Sequence, residues 1–462
     1  LIAPDLARWA VGDVVVPVAV REAALRHLLD GLGTAVAAAR ADAAGPAVEV
    51  ARGLGGPAEA TILGGRDRVG APAAALANGT LVHALDFDDT HAGGLVHATS
   101  VVLPAALAVG EQVGATGAEV LVAAVVGYEV ACRVAAAAPH GFHARGLHAT
   151  MAAGVFSSAA IAARLMGLDG ATATHALGIA GSQAGGLLAF LATGASTKQL
   201  HPGFASQAGI TAARLAAAGA TGPETVLDGP HGLYDALTTG VVERTAILAG
   251  LGGADPTDWE TTRIGIKPWP TCQLAHASMA AAGAALSTAG ATAGDVVAVH
   301  ALVHPDSASV VCPTDRDPAR PASPYAAKFS LPWSVAALLH DGTVGVDTYR
   351  DDQLARPEVI ALAAATTWEP TTGPAAGMAA ADAAGEVTLT LADGRLVTGR
   401  VDRSPGGGAA PLSDADLLAK FAGNAGPGSV PLVTALRGLP DAPDLTDLIT
   451  CAADAAAVPM EA

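Results

Sequence analysis

The sequence predicts a mainly α fold: a large all-helical domain built from both chain ends, with a smaller α+β domain inserted between them. Three observations predict it. Up to about residue 265 the chain reads as long alanine-rich apolar stretches broken by short glycine or proline punctuation, the texture of successive buried helices. β-branched runs of strand length begin at about 296 and end at about 401. Beyond Pro405-Gly-Gly-Gly408 the helical spacing returns. The expected domains are therefore 1–268, 269–404 and 405–462, the last returning to the first.

Each element has a local reason. Thr116-Gly-Ala-Glu119 is a capping box, so a helix starts there and runs to about residue 138, where Pro139 stops it. Further helices are expected over 150–166, 172–181 and 204–219. Their many small side chains let helix axes approach closely. Lys267-Pro-Trp-Pro270 breaks the pattern, a helix follows over 273–286, and 296–303 reads as a strand. Alternating runs at 386–391 and 395–401 flank Asp393-Gly394 and predict a hairpin. Ser413 caps a helix carrying Leu417, Leu418 and Phe421.

Composition excludes several functions. A net charge of −18 with 25 Lys+Arg repels a phosphate backbone, and 3% aromatic residues provide no stacking platform, so no nucleic acid is expected as partner. Cys132, Cys272, Cys312 and Cys451 form no Cys-x-x-Cys pair, which points to reduced thiols in a cytoplasmic protein. The most apolar stretch, 118–138, carries Glu119, Glu129 and Arg133, and 179–197 is rich in Gly, Ser, Gln and Thr. Neither reads as a membrane span, and no secretory leader opens the sequence as written.

Eight of the fourteen histidines fall between positions 83 and 201, a region poor in charge. Imidazole is the side chain best suited to proton transfer near neutral pH, so this density marks a candidate site. His140, His143 and His175 read as capped or surface residues. If the segment around Leu85-Asp-Phe-Asp-Asp-Thr-His91 is helical, His83, Asp86 and Thr90 share one face, while Asp88 and Asp89 lie on a helix end or a solvated face. Asp86, Asp88, Asp89 and His91 also admit a metal reading. No His-x-x-x-His pair or second Asp-rich helix completes that shell, so a site without metal ranks first.

Of the 25 basic residues only Lys198, Lys267, Lys328 and Lys420 are lysine, which marks these positions as special. Lys198 falls in an expected polar turn, Gly194-Ala-Ser-Thr-Lys-Gln-Leu-His-Pro-Gly203. Two readings stand side by side: a point-charge receptor for a carboxylate, or a side chain snorkelling from a helix end. His97 and His148 each precede an expected helix start, where unpaired amides and the helix dipole favour an anion. His276 follows the breaker, where the second domain begins.

Several motifs occur in order over nearly the whole chain. They are Asn78-Gly before His83-Ala-Leu-Asp-Phe-Asp-Asp-Thr90, Val96-His97 before Leu103-Pro104, Gly146-Leu-His-Ala-Thr150, Thr197-Lys-Gln-Leu-His-Pro-Gly203, Lys267-Pro-Trp-Pro, and Lys328-Phe-Ser before Asp341-Gly342. Together they resemble the MmgE/PrpD family, which includes 2-methylcitrate dehydratase, cis-aconitate decarboxylase and iminodisuccinate epimerase. The resemblance implies a helical domain from both chain ends, an inserted α+β domain, a cleft between them and a homodimer. Asp86, Thr90, His97, His148, Lys198 and His276 match the family's active-site pattern. His83, His201, Lys267 and Trp333 join Thr90 and His276 as expected substrate contacts. Two departures stand out. The Thr90-to-His97 spacing is one residue longer than in the decarboxylase members. Trp333 replaces a tyrosine thought to touch substrate, which removes a phenol donor and puts the usual tricarboxylate in question.

The expected chemistry is that of a lyase without cofactor or metal, acting on a small carboxylate with no membrane partner. Charge developing beside the carboxylate is stabilised by Lys198 and protonated histidines. His97 and His148 form the acid–base pair, Asp86 orients a histidine or acts as base, and Thr90 holds a substrate carboxylate. Dehydration of a hydroxy acid leads, with decarboxylation of an unsaturated polycarboxylate as the alternative and epimerisation or isomerisation third. A metal-dependent hydrolase or cyclase and a non-catalytic helical scaffold are the other classes.

Overall fold

The computed structural model describes residues 1–458. The chain is mainly α and divides into two compact units. The first comprises Leu1–Leu188, Thr197–Ile264 and the stretch from Ser413 onward; the second comprises Ala189–Ser196 and Gly265–Leu412. No described helix is long and apolar enough to cross a membrane.

In the first unit, helices Val18–Arg40, Ala71–His83, Thr99–Val113, Gly117–Ala136, Ala149–Leu165 and Thr197–Ala217 pack around an alanine-rich core. Thr116 caps its helix through Glu119 in the expected box, with both reciprocal bonds formed. The small residues matter most where Ala71–His83 meets Thr197–Ala217. A methyl group added at Gly79 would lie 2.8 Å from the Gly203 backbone, and one at Gly203 would lie 2.2 Å from the Leu76 carbonyl oxygen. Two backbones in contact bring the end of one helix beside the start of the other. The helix Asp414–Ala425 returns to the first unit and packs Phe421 against Gly33 of Val18–Arg40.

Two expectations are corrected here. The helix carrying Lys198 begins at Thr197 rather than near 204, so Lys198 occupies its first turn instead of a polar turn. Pro202 removes one intrahelical donor, but packing of the surrounding turns against two neighbouring helices outweighs that loss. Conversely, the helix leading into the acidic segment ends at His83, and Asp86 takes a left-handed conformation with φ +51°. His83, Asp86 and Thr90 therefore do not share a helical face. A non-glycine residue held there is strained, a feature that concentrates at functional sites.

In the second unit, strands Thr366–Pro370, Val296–Val303, Gly385–Leu391 and Leu396–Val401 form one sheet in that spatial order. The first pair is parallel and the others antiparallel. Val387, Leu389 and Leu391 alternate inward, as the period of a half-buried strand requires. The helix Gln273–Ala289 lies on the hairpin, and Gly385 and Gly399 make room for it. A methyl group at either glycine would come within 2.3 Å of the Ala277 or Ala281 carbonyl oxygen.

Candidate active site

The first unit brings together side chains from four segments. His83 ends its helix, Asp86, Asp88 and Thr90 follow in the turn, and His97 precedes the helix Thr99–Val113. His148 is the residue before Ala149–Leu165, while Lys198 and His201 lie in the first turns of Thr197–Ala217. All are buried. The ring centroid of His83 is 4.8 Å from that of His97 and 5.7 Å from that of His148. The His97 and His148 centroids are 5.6 Å apart, and those of His148 and His201 are 5.2 Å apart.

Hydrogen-bond partners fix the tautomers. His97 Nδ1 lies 2.8 Å from the Asp89 carbonyl oxygen, which can only accept, so Nδ1 carries the proton and neutral His97 keeps its lone pair on Nε2. Thr90 Oγ1 shares that N–H at 3.2 Å. His83 Nδ1 lies 2.8 Å from Asp88 Oδ2, and its Nε2 has no hydrogen-bond partner among the described residues. Thr150 links the two proposed proton-transfer groups. Its Oγ1 accepts the His97 backbone N–H at 3.1 Å and lies 3.1 Å from His148 Nε2. With the threonine proton directed to His148 Nε2, His148 Nδ1 donates to His201 Nδ1 at 3.1 Å.

Lys198 Nζ donates to Asp86 Oδ1 at 2.8 Å. Asp86 thus partners the lysine, and Asp88 is the carboxylate that orients a histidine. Asp88 and Asp89 are fully buried rather than on a helix end or a solvated face, because the turn at Asp86 redirects the chain inward. Asp89 accepts from the Thr99 backbone N–H at 3.0 Å and also from the Thr99 hydroxyl, capping the next helix. The proposed metal quartet does not assemble: Asp89 is committed to Thr99, and His91 Nε2 bonds Glu260 Oε2 at 2.7 Å.

Electrostatics correct another expectation. Burial holds His83 below its ordinary pKa, with Asp88 opposing the shift. His148 is held well below by burial, then by His201 and Lys198, and burial lowers His201 to about 4. Near neutral pH these three rings are neutral rather than protonated, because water is excluded and positive groups crowd one another. Lys198 is left to carry the positive charge, and the imidazoles offer lone pairs and N–H donors.

The remaining candidates lie in the second unit. Lys267 is fully buried, and His276 Nε2 is 3.2 Å from the Thr271 carbonyl oxygen. Trp333 is fully buried in the helix Leu331–Asp341, and its indole N–H has no acceptor among the described residues. The sequence reading left out Thr150, and it placed Asp88 on a helix end, a solvated face or in the metal quartet rather than as the carboxylate that orients His83. Thr150 had a signal, its place two residues after His148 in the motif that carries the resemblance.

The chain matches the MmgE/PrpD N-terminal domain over residues 5–245 and the MmgE/PrpD C-terminal domain over residues 269–430. The chain belongs to the MmgE/PrpD family. Among the relatives of this family member, a cis-aconitate decarboxylase of Aspergillus terreus is 28% identical over 482 aligned positions, covering 97% of this chain and 95% of the relative. The cis-aconitate decarboxylase of Homo sapiens is 31% identical over 367 positions, covering 76% and 72%. A cis-aconitate decarboxylase-like protein, oryM, of Aspergillus oryzae is 31% identical over 267 positions, covering 54% of each chain.

Proposed function

We propose that this family member is a lyase that removes carbon dioxide from a small unsaturated polycarboxylate. The observation that carries the reading is the convergence of His97, His148 and the Lys198–Asp86 pair in one buried cluster of the first unit. The names of the three relatives favour decarboxylation over dehydration, the leading expectation from the sequence.

The reaction follows from the cluster. When the C–C bond to the departing carboxylate breaks, its electron pair moves into the substrate's alkene and spreads toward a neighbouring carboxylate. Lys198 stabilises that charge in a site where water does not compete. A proton then adds to the distal carbon, so carboxylate plus one proton become carbon dioxide and a shifted alkene. The anionic substrate raises the pKa of the neutral imidazoles it meets, which lets His148 or His97 take up the proton that it later delivers. His201 at Nδ1 and Thr150 at Nε2 hold His148, while Asp89 and Thr90 hold His97 at Nδ1, so each ring is fixed in one orientation. Thr90 is the proposed hydroxyl contact for a substrate carboxylate.

Dehydration of a hydroxy acid is the second reading, since the same lone pairs can abstract a proton beside a carboxylate. Incubating the protein with unsaturated and hydroxy di- and tricarboxylic acids, followed by mass spectrometry, separates the two. Loss of the mass of carbon dioxide from an alkene acid supports the decarboxylase; loss of water replaces it with the hydro-lyase. No mass change with any acid of either class removes both.

A further inference from the structure

We infer that His83, His97 and His148 form a three-histidine site for a divalent transition ion of the zinc class, distinct from the acidic quartet considered from the sequence. One ring nitrogen of each histidine lies within 4.8 Å of those of the other two. The arrangement behind them is that of a metal shell, in which each ligating imidazole donates its far N–H to a carboxylate, a carbonyl or another acceptor. His83 Nδ1 is held by Asp88 Oδ2 at 2.8 Å, His97 Nδ1 by the Asp89 carbonyl at 2.8 Å, and His148 Nδ1 by His201 Nδ1 at 3.1 Å. In all three rings this leaves Nε2 as the lone-pair atom: the buried His83 Nε2 has no hydrogen-bond partner among the described residues, and His148 Nε2 exchanges the Thr150 hydroxyl that it accepts at 3.1 Å for the ion.

The fit needs little movement. A tetrahedral ion with Zn–N bonds of about 2.1 Å spaces its ligands about 3.4 Å apart, so each ring closes inward by under about 1 Å. Charge is also compatible. Asp86 pairs with the neighbouring Lys198 and offsets its repulsion of a cation, and Asp88 adds a carboxylate directly behind one ligand. Three protein ligands leave the fourth position for water or a carboxylate oxygen. On the lyase reading above, an ion there takes the lone pairs of both proton-transfer groups, so metal occupancy and turnover exclude each other and the ion is an inhibitor.

The test is metal uptake by the full chain after chelator treatment and gel filtration. One equivalent of Zn²⁺ should bind, with X-ray absorption showing three imidazole nitrogens at about 2.0 Å. Co²⁺ should give the visible bands of a tetrahedral ion. His83→Ala should weaken Zn²⁺ binding at least tenfold, Asp88→Asn by about 10- to 100-fold, and His300→Ala at the exposed sheet not at all. Absence of stoichiometric uptake, sulfur scattering from a cysteine site, or unchanged affinity in both His83→Ala and Asp88→Asn overturns the proposal. X-ray absorption on the unmodified chain decides the matter even where a variant fails to fold. None of these readouts uses turnover, so this site and the lyase reading fail independently. Zn²⁺ inhibition competitive with substrate then tests the consequence that joins them.

Discussion

Two buried polar clusters in the first unit are built from similar materials and differ in how fully they are satisfied. Around Glu129 and Arg133, the guanidinium reaches Glu129 Oε2 at 2.8 Å and the Ala249 and Asp258 carbonyl oxygens at 2.6 Å each. Glu129 in turn accepts the Thr261 hydroxyl at 2.7 Å and the Thr261 and Glu260 backbone N–H groups at 2.9 and 3.1 Å. Each guanidinium nitrogen and both Glu129 oxygens have a partner, and the cluster clamps the 244–263 segment to the helix Gly117–Ala136. Around His83, His97 and His148 the Nδ1 bonds run behind the rings; His148 Nε2 also meets the Thr150 hydroxyl, while His83 Nε2 has no hydrogen-bond partner among the described residues. A saturated buried network is architecture, whereas one that retains capacity is prepared for a ligand.

The sharpest way to break that contrast is to remove one group from each cluster. His148→Asn should cut turnover by about 10²- to 10⁴-fold while the thermal midpoint holds, measured by steady-state kinetics and circular dichroism. Turnover at the unmodified rate would take His148 out of the proton path. Arg133→Ala should do the reverse, costing about 3–5 kcal/mol in a denaturant titration because Glu129 is left buried and unpaired. The protein that remains folded should keep its kcat; a selective loss of kcat would mean that the saturated cluster also serves the chemistry.

A third variant tests what holds the turn between His83 and Thr90. Lys420 Nζ pairs with Asp30 Oδ1 at 2.6 Å, donates to the Phe87 carbonyl at 2.7 Å and lies 3.9 Å from the Phe87 ring centroid. Replacing both charges, Lys420→Met with Asp30→Leu, should leave stability within about 2 kcal/mol. It should lower kcat by about 10- to 100-fold, because the loop carrying Asp86, Asp88 and Thr90 loses its anchor. Unchanged kinetics would show that the strained turn holds itself.

The most gradual effect is one of pH. His201 has a folded pKa of about 4, against roughly 6.5 in the unfolded chain. The unfolded state therefore binds more protons between those values. This contribution to stability is complete above about 6.5 and is lost as pH falls toward about 4, at up to ~1.4 kcal/mol per pH unit. His201→Gln should flatten that part of the stability profile in urea titrations at stepped pH. An unchanged slope would place the exposed proton uptake elsewhere.

Much of the fold could be read from local signals, because capping boxes, strand alternation and the Asp-Gly turn are decided within a few residues. Thr116 with Glu119, the strand at 296–303 and the hairpin around Asp393-Gly394 all formed where those signals placed them. Two local readings failed. The Lys198 helix starts earlier than its proline and polar residues suggested, because tertiary packing outweighs one missing hydrogen bond. The acidic run is buried, because a left-handed residue turns the chain inward where helical spacing would have carried it along the surface.

The candidate site divides in the same way. Residue identity alone pointed to imidazoles, a rare lysine and small residues as the materials, since these depend on chemistry that each side chain carries with it. Which carboxylate serves which cation, which ring nitrogen keeps its lone pair, and whether a histidine is charged were decided only when distant segments met. The lysine's partner and the His148 tautomer belong to contacts across 112 and 53 residues of chain, those of His83 and His97 to contacts five and eight residues apart that the turn at Asp86 makes, and the charge state to the exclusion of water, which no one stretch of sequence encodes.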